Sequence, residues 1–228
     1  MRRAAKSIVL VSPTLSKDFK LFSKGKVRVI ENGIALPDNS RERSTGEEIR
    51  LLCTGRADKQ KGFQTAIRAV AEIDDMPLHL DIIGTGPYFE DLKKISRDLR
   101  TDERVTFHGR VTDDELNLAY SSADIYLIPT TRYEGLPLAL LEAMAHGIPT
   151  ISSEIGGNSD VITHNHDGIF IKPGNLSELI SAIRRLGNDQ QERRRISQAA
   201  RATTERRFDK ERMIDETLQT LESLTNMS

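Results

Sequence analysis

Two glutamates, Glu134 and Glu142, are the residues of this sequence whose type and spacing are best suited to chemistry. The turn 135–137, Gly-Leu-Pro, lies between them and leads into a short apolar helix. If that helix begins near Leu136, the amides around the turn lack partners within the helix and face the end of the preceding strand. Unpaired amides and the helix dipole together favour an anion such as a phosphate. The stretch therefore predicts an anion site with one carboxylate before the helix and one along it.

The spacing of the two carboxylates limits what they could do. Glu142 lies about six residues into the predicted helix, which is roughly 9 Å along its axis. The pair is then too far apart to act on one bond as the carboxylates of a hydrolase do, unless the loop folds back. A ligand with a phosphate in the middle and a hydroxyl-bearing ring at each end would fit, because carboxylates are good acceptors for vicinal hydroxyls. The neighbours of Glu142 are apolar, so we expect a mostly buried helix in which this glutamate needs a partner.

A glycine-rich loop with two cations could supply the opposite charge. Gly55 and Gly62 bracket Arg56 and Lys61, directly after the first strand of the predicted main domain. An arginine can fork onto two oxygens and a lysine provides a compact charge, which together suit a diphosphate. A solvated basic loop with no ligand is the alternative interpretation of the same spacing.

The other candidate residues favour structural roles. The turn 84–87, Gly-Thr-Gly-Pro, fits tight-turn chemistry at least as well as contact with a ligand. His164 and His166 have no cysteine or acidic set at ligand spacing to complete a site, so we expect no bound metal. Cys53, the only cysteine, lies in an apolar run and is expected to be a reduced thiol in the core.

Composition excludes several classes of function. A formal net charge of -1 over 228 residues gives no argument for a nucleic-acid partner. No apolar run approaches the ~20 residues that a membrane span needs, and the stretch 7–11 is too short for a signal peptide, so we expect a cytoplasmic protein. Residues 1–30 nevertheless carry eight lysines or arginines against one acid, Asp18. We interpret them as a basic surface, with peripheral contact to anionic lipid at the inner face of the membrane as the alternative.

Strands and helices alternate from about residue 50, and they position the candidate loops. Strands are predicted at 51–54, 78–83, 105–107, 124–128, 150–152 and 168–171, and helices at 63–73, 88–99, 112–121, 136–146, 175–186, 189–207 and 209–225. This alternation is typical of an α/β fold, here a Rossmann-like, doubly wound, parallel six-stranded sheet. Ligands bind beyond the carboxyl ends of the strands in such sheets. The loops at these ends are 55–62, 84–87, 108–112, 129–137 and 153–159.

The front of the chain forms a separate, smaller unit. A strand at 7–12, a helix at 13–22 and a strand at 27–30 precede a polar stretch rich in Pro, Asn, Ser and Gly. The predicted division is 1–36 for this strand–helix–strand unit, 37–48 for a linker and 49–228 for the main domain. We expect apolar surface around Ile8, Leu10 and Phe19, which would favour a homodimer.

The motifs, in this order, resemble the C-terminal, nucleotide-sugar-binding domain of GT-B glycosyltransferases. The closest likeness is to the retaining group called family 4, the glycosyl transferases group 1 domain. The E-x7-E stretch at 134–145 is the most specific part. The likeness covers nearly the whole chain, and its further matching stretches are 29–34, 55–62, 84–87, 105–109, 147–149, 156–157 and 167–168.

This resemblance implies a role for each part of the site. Arg56 and Lys61 would bind the diphosphate and stabilise the departing nucleotide, and Glu134 would hold the hydroxyls of the donor sugar. These three would be the catalytic residues, with no metal and no cofactor. Glu142 would take the ribose hydroxyls. The implied donor-binding set is Arg56, Lys61, Gly84, Arg110, Val111, Glu134, Gly135, Leu136, Pro137, Leu138 and Glu142.

The resemblance also implies partners. The donor would be a nucleotide-diphosphate sugar, with a UDP-sugar favoured and a GDP-sugar possible, and the acceptor a cell-envelope polysaccharide or lipid-linked glycan. Enzymes of this group have an N-terminal acceptor-binding domain, so we expect segment 1–36 to be a remnant of it and the rest of it to be missing. Two other functions stay open: a non-enzymatic nucleotide-sugar-binding subunit and a nucleotide-sugar 2-epimerase. The residues 158–160, Asn-Ser-Asp, depart from the Pro-Glu that often follows the Gly-Gly pair, so sugar contacts there would differ.

Overall fold

The computed structural model describes residues 7–17, 27–37 and 48–225. Its main feature is a six-stranded sheet in the order β5-β4-β3-β6-β7-β8, in which every neighbouring pair is parallel. These strands are β3 (Ile49–Thr54), β4 (Leu78–Ile83), β5 (Val105–Gly109), β6 (Ile125–Ile128), β7 (Thr150–Ser153) and β8 (Ile169–Ile171). The chain order reverses between β3 and β6, as in a doubly wound sheet, so the predicted fold class is confirmed.

Helices connect the strands and cover both faces of the sheet. They are α1 (Phe63–Glu72), α2 (Phe89–Asp98), α3 (Asp113–Ser122), α4 (Leu138–Ala145), the short α5 (Asn158–Val161), α6 (Leu176–Asn188), α7 (Gln190–Arg207) and α8 (Lys210–Thr225). Two clusters of buried apolar side chains fill the spaces between the sheet and its helices. The chemistry is therefore confined to the loops at the ends of the strands, because the faces of the sheet are occupied by packing.

The central strand β3 is among the most buried parts of the chain. Leu51 and Cys53 are fully buried on one face, and Leu52 is buried on the other. Cys53 is a free thiol, as predicted, and its Sγ lies 3.5 Å from the carbonyl oxygen of Leu127. Burial raises the pKa of this thiol far above its usual range. No helix in the described part of the chain is long and apolar enough to cross a membrane.

The front segments form a two-stranded parallel sheet, β1 (Ile8–Leu10) with β2 (Val27–Val29), which packs on the end of the chain. Ile34 exchanges backbone hydrogen bonds with residues 208 and 210, and the guanidinium of Arg207 contacts the carboxylate of Glu31 at 2.7 Å. The carboxylate of Asp160 accepts from both the amide and the hydroxyl of Thr14. These contacts tie the front of the chain to α5, to the end of α7 and to the start of α8.

Some boundaries differ from the sequence prediction. Helix α4 begins at Leu138 rather than near residue 136, because helical backbone is disfavoured at Leu136, the residue before Pro137. Leu136 is buried in the core, where its carbonyl accepts a hydrogen bond from the side chain of Asn32. The short helix α5 and a 3-10 turn at Lys59–Lys61 were not predicted. The predicted helix 13–22 is described only over 13–17, and most of the predicted linker, 38–47, lies outside the described residues.

The expectation of exposed apolar surface near the front needs correction. Ile8 and Leu10 are half-buried, while the residue between them, Val9, is 48% exposed. Strand alternation explains the difference, since neighbouring side chains point to opposite faces. Phe19 lies outside the described residues.

Candidate functional site

A cavity of about 400 Å³ lies at the carboxyl ends of β3, β4 and β5. Six of the residues predicted to form the site line it: Arg56, Gly84, Arg110, Val111, Leu138 and Glu142. Glu142 is the only acidic side chain among the described residues that line this cavity. The cavity thus combines the basic side chains of Arg56 and Arg110 with a single carboxylate and the start of a helix.

Lys61 and Glu134 form an ion pair with each other. The Nζ of Lys61 lies 2.6 Å from the Oε1 of Glu134, and the two side chains are 25% and 14% exposed. The 3-10 turn at Lys59–Lys61 is held against the loop of Glu134 because the carbonyl of Gln60 accepts from the amide of Thr131 at 2.8 Å. The partial burial makes this pair stronger than an exposed one, since solvent screens it less.

The loop of Glu134 is also packed tightly from behind. The amide of Gly157 donates to the carbonyl of Glu134 at 2.8 Å. A Cβ added to Gly157 would lie 1.4 Å from the carbonyl oxygen of Gly135, so no side chain can occupy this position without moving the loop. Side chains of Val11 and Leu15 approach Gly135 from the front segment. Glycine at 157 therefore allows close contact between two backbone segments that fix the position of Glu134.

The N-terminus of α4 opens into the cavity. Pro137 is the N-cap, and no side chain caps this helix end. The first amides of the helix, those of Leu138 and Ala139, have no carbonyl partner within the helix, and both residues line the cavity. The amides and the helix dipole create a positive potential at this point, which favours a bound anion.

Glu142 lies on the fifth position of α4 and has the polar partner that its apolar neighbours require. The hydroxyl of Tyr120, on α3, donates to Oε2 of Glu142 at 2.8 Å. Tyr120 also lies within 3.0 Å of the hydroxyl of Thr54, which is 2.6 Å from the hydroxyl of Tyr126. Burial, assisted by the nearby charge of Glu142, raises the pKa of Tyr120 far above its usual range, so this phenol stays protonated.

Arg56 is predominantly exposed, with 72% of its side chain accessible. Its Nε lies 3.9 Å from a carboxylate oxygen of Asp58, which is at the same distance from Arg132. These are long, weak contacts that leave both guanidinium groups able to reorient. Arg56 and Lys61 thus do not form a joint cluster in this structure: Lys61 is paired with Glu134, and Arg56 lines the cavity.

Sequence reasoning missed three polar side chains near the site: Thr54, Tyr120 and Arg132. A threonine that ends the apolar run of β3, directly before Gly55, was a usable signal for Thr54. Tyr120 resembles any aromatic residue on the apolar face of a helix, and only its spatial relation to Glu142 reveals its role. Arg132 was visible only as one charge in a polar loop.

A second cavity, of about 750 Å³, adjoins the first. Tyr120, Leu138 and Glu142 line both cavities, and the chain at Gly33 to Pro37 forms another wall of the second. Within residues 7–17, 27–37 and 48–225, no group of three or more His, Cys, Asp or Glu side chains is arranged to hold a metal ion. The Nδ1 of His164 accepts from the amide of Phe170, so this histidine has a structural role in its loop.

Comparison with known proteins gives consistent results. Residues 38–203 match the family described as glycosyl transferases group 1. The chain is 31% identical over 208 residues to a sulfoquinovosyl transferase of Arabidopsis thaliana, covering 88% of this chain and 39% of that protein. It is 33% identical over 149 residues to a GDP-mannose-dependent phosphatidylinositol monomannoside mannosyltransferase of Mycobacterium tuberculosis, covering 62% of this chain and 39% of that protein.

Solved structures show the same fold. The crystal structure of Anabaena HepE in complex with UDP superposes with a TM-score of 0.82 at 20% identity, covering 96% of this chain and 64% of that one. The chain spans well under half the length of the two curated relatives described above.

Proposed function

Because the chain belongs to the glycosyl transferases group 1 family, we propose that it supplies the donor-binding half of a retaining glycosyltransferase. The observation that carries this proposal is the cavity at the carboxyl ends of β3 to β5. It places Arg56, the open N-terminus of α4 and the carboxylate of Glu142 around one space. This set suits a ligand with an anionic centre and a hydroxyl-bearing ring.

In this proposal the nucleoside diphosphate of the donor occupies the cavity. The base lies near Arg110 and Val111, and the ribose hydroxyls donate to Glu142. The diphosphate lies between Arg56 and the first amides of α4. Lys61 contacts the same diphosphate from its position beside Glu134, which holds hydroxyls of the sugar. The support is the lining of the cavity and the Lys61–Glu134 pair.

The proposed reaction breaks the bond between C1 of the sugar and the diphosphate oxygen. The bond electrons leave with the diphosphate, whose growing negative charge is stabilised by Arg56, Lys61 and the dipole of α4. The acceptor hydroxyl then bonds to C1 from the same face, through an oxocarbenium-like state. Its proton passes to the departing diphosphate oxygen, so the configuration at C1 is retained and atoms and charge balance. In this scheme Arg56 and Lys61 take the part of a metal ion, and no metal is required.

We propose a hexose donor activated by UDP or GDP and a polysaccharide or lipid-linked glycan as acceptor. Similar proteins support both nucleotides: one relative is a GDP-mannose-dependent phosphatidylinositol monomannoside mannosyltransferase, and one similar structure was solved with UDP. The acceptor-binding half is proposed to lie in a separate domain. The contacts that hold the front segments against α5 and the end of α7 support a position of that domain on this side.

Isothermal titration calorimetry of the folded chain with UDP, GDP and ADP tests the proposal. We expect at least one of them to bind in about the micromolar to millimolar range typical of enzyme substrates, and the matching nucleoside without phosphates to bind more weakly. Circular dichroism and a cooperative thermal transition would establish that the chain is folded. If the folded chain binds none of the three diphosphates, the proposal is wrong.

A further inference from the structure

Tyr120 lies in contact with the one carboxylate that borders both cavities. Its hydroxyl is 2.8 Å from Oε2 of Glu142, and the residue is only 1% exposed. Its ring stacks on the imidazole of His146, with centroids 5.2 Å apart and planes 18° apart, and it packs at a tilt against Tyr126. With aromatic rings packed on it, the phenol has little freedom to move.

The hydroxyl groups behind Glu142 can be arranged in only one direction. The hydroxyl of Tyr120 donates its single proton to the carboxylate of Glu142, so its oxygen must accept from the hydroxyl of Thr54 at 3.0 Å. The proton of Thr54 is then used, and its oxygen must accept from Tyr126 at 2.6 Å. The result is a chain of donors, from Tyr126 through Thr54 and Tyr120 to Glu142. Each bond in such a chain polarises the next and strengthens the last.

This series of hydrogen bonds makes the two carboxylate oxygens of Glu142 different from each other. Oε2 is occupied by the phenol, whereas among the described hydrogen bonds none involves Oε1. A carboxylate held at one oxygen by a fixed donor cannot rotate freely, so the other oxygen keeps a constant position. A hydroxyl of a ligand in the cavity would meet an acceptor that is already oriented, which lowers the entropic cost of binding.

We propose that Tyr120 is a positioning residue that orients Glu142 to accept a ribose hydroxyl, and that it thereby sets a preference for ribonucleotides over 2′-deoxyribonucleotides. The inference rests on the proposed function, because it assumes that a nucleoside diphosphate occupies the cavity. Tyr120 itself touches Glu142 and not the reacting atoms. Its removal should therefore change recognition of the ribose and leave the contacts to base and diphosphate intact.

Titration calorimetry with UDP and 2′-deoxy-UDP, on wild type and on Tyr120→Phe, tests this inference. The measured quantity is the ratio of the two dissociation constants. We expect wild type to prefer UDP by roughly 10- to 100-fold, the value of one hydrogen bond to a charged group. In Tyr120→Phe the ratio should approach one, because UDP binds more weakly while 2′-deoxy-UDP binds as before.

A purely structural role for Tyr120 predicts a different result. Loosening of the cavity would weaken the binding of both nucleotides by the same factor and leave the ratio of dissociation constants unchanged. That result would overturn the inference, whereas binding of UDP to wild type would still uphold the proposed function. Failure of folded wild type to bind any of UDP, GDP and ADP would overturn both. If GDP proves to be the ligand, the same pair of measurements is made with GDP and 2′-deoxy-GDP.

Two further variants guard against a folding defect in Tyr120→Phe. Thr54→Val removes the middle hydroxyl without changing the volume much, and we expect a smaller fall in the same ratio, since Tyr120 still contacts Glu142. If the ratio of dissociation constants is unchanged in folded Tyr120→Phe and in Thr54→Val, the proposed series of hydrogen bonds from Tyr126 to Glu142 is wrong. Tyr88→Phe is the matched control: Tyr88 loses the same atom at the start of α2, lines neither cavity, and should keep the ratio of wild type.

Discussion

Replacement of Lys61 by methionine is the sharpest test of how the site binds a diphosphate. Methionine keeps most of the length of the side chain and removes the charge. In the structure Lys61 could serve in two ways: it contacts Glu134 at 2.6 Å, and it lies on a loop beside the cavity. Either role predicts that Lys61→Met weakens UDP binding, because an uncompensated Glu134 would repel the diphosphate. A double variant separates them.

The magnitudes follow from the geometry of the pair. A hydrogen bond between charged groups contributes about 1.5–3 kcal/mol, so loss of a direct contact with the diphosphate should weaken UDP roughly 10- to 100-fold. The same substitution leaves the Glu134 carboxylate, 14% exposed, without its cation. This should lower the free energy of unfolding by about 1–3 kcal/mol. The double variant Lys61→Met/Glu134→Gln removes both charges and should recover most of that stability.

UDP lacks the sugar that would be transferred, so the proposed role of Glu134 toward that sugar does not enter the measurement. If Lys61 contacts the diphosphate, calorimetry at constant ionic strength should find UDP binding still weak in the double variant, and binding of uridine unchanged throughout. Recovery of wild-type affinity for UDP in the double variant would refute the direct contact and reduce Lys61 to a partner of Glu134. Lys59→Met is the matched control, since Lys59 is an exposed lysine on the same turn.

Three further outcomes are expected. Gly157→Ala should lower the free energy of unfolding by about 1–3 kcal/mol, as for overpacked cores, because the added Cβ would lie 1.4 Å from the carbonyl oxygen of Gly135. The shifted loop should also weaken the binding of UDP. An unchanged melting temperature and an unchanged affinity for UDP would contradict the close packing. Glu192→Gln should lower the free energy of unfolding at neutral pH, because Arg185 holds the pKa of Glu192 below its ordinary value and so stabilises the folded state. The expected loss is at most about 1 kcal/mol. The stability that the ion pair contributes is present above the ordinary pKa of a glutamate and is lost as the pH falls through the lowered pKa of Glu192. The denaturation curves of wild type and Glu192→Gln should therefore converge in acid. A difference in stability that stays constant with pH would argue against the ion pair. Finally, UDP affinity measured with and without EDTA should be equal; a loss with EDTA would show that a metal contributes.

Local signals in the sequence predicted much of the fold because the interactions behind them are local. The start of α3, in the helix predicted at 112–121, is an example: Thr112 and Glu115 form a capping box and bond to each other's backbone amides at 3.3 and 2.7 Å. Asn175 likewise caps α6 by accepting from the amide of Glu178. Both involve residues three positions apart, so the sequence contains all the partners.

Features that depend on distant partners were predicted poorly. The contact between Asn32 and the carbonyl of Leu136 is an example, because the two residues are more than a hundred positions apart. The same applies to the site, where the pairing of Lys61 with Glu134 joins residues 73 apart in sequence. Composition and spacing predicted which charged residues form the site, but which of them meet depends on the order of strands in the sheet.

The buried thiol of Cys53 has a practical consequence for labelling. It is the only cysteine in the chain, it is fully buried in β3, and burial raises its pKa, so maleimide and disulfide reagents should not reach it in the folded protein. A cysteine introduced at an exposed position, such as Leu118 on α3, would then be the one reactive site for a fluorophore. In the unlabelled protein, the slow reaction of Cys53 would instead report how often the central strand opens. Cys53 thus does not compete with an introduced cysteine for the label, and its own slow reaction is an internal probe of local unfolding.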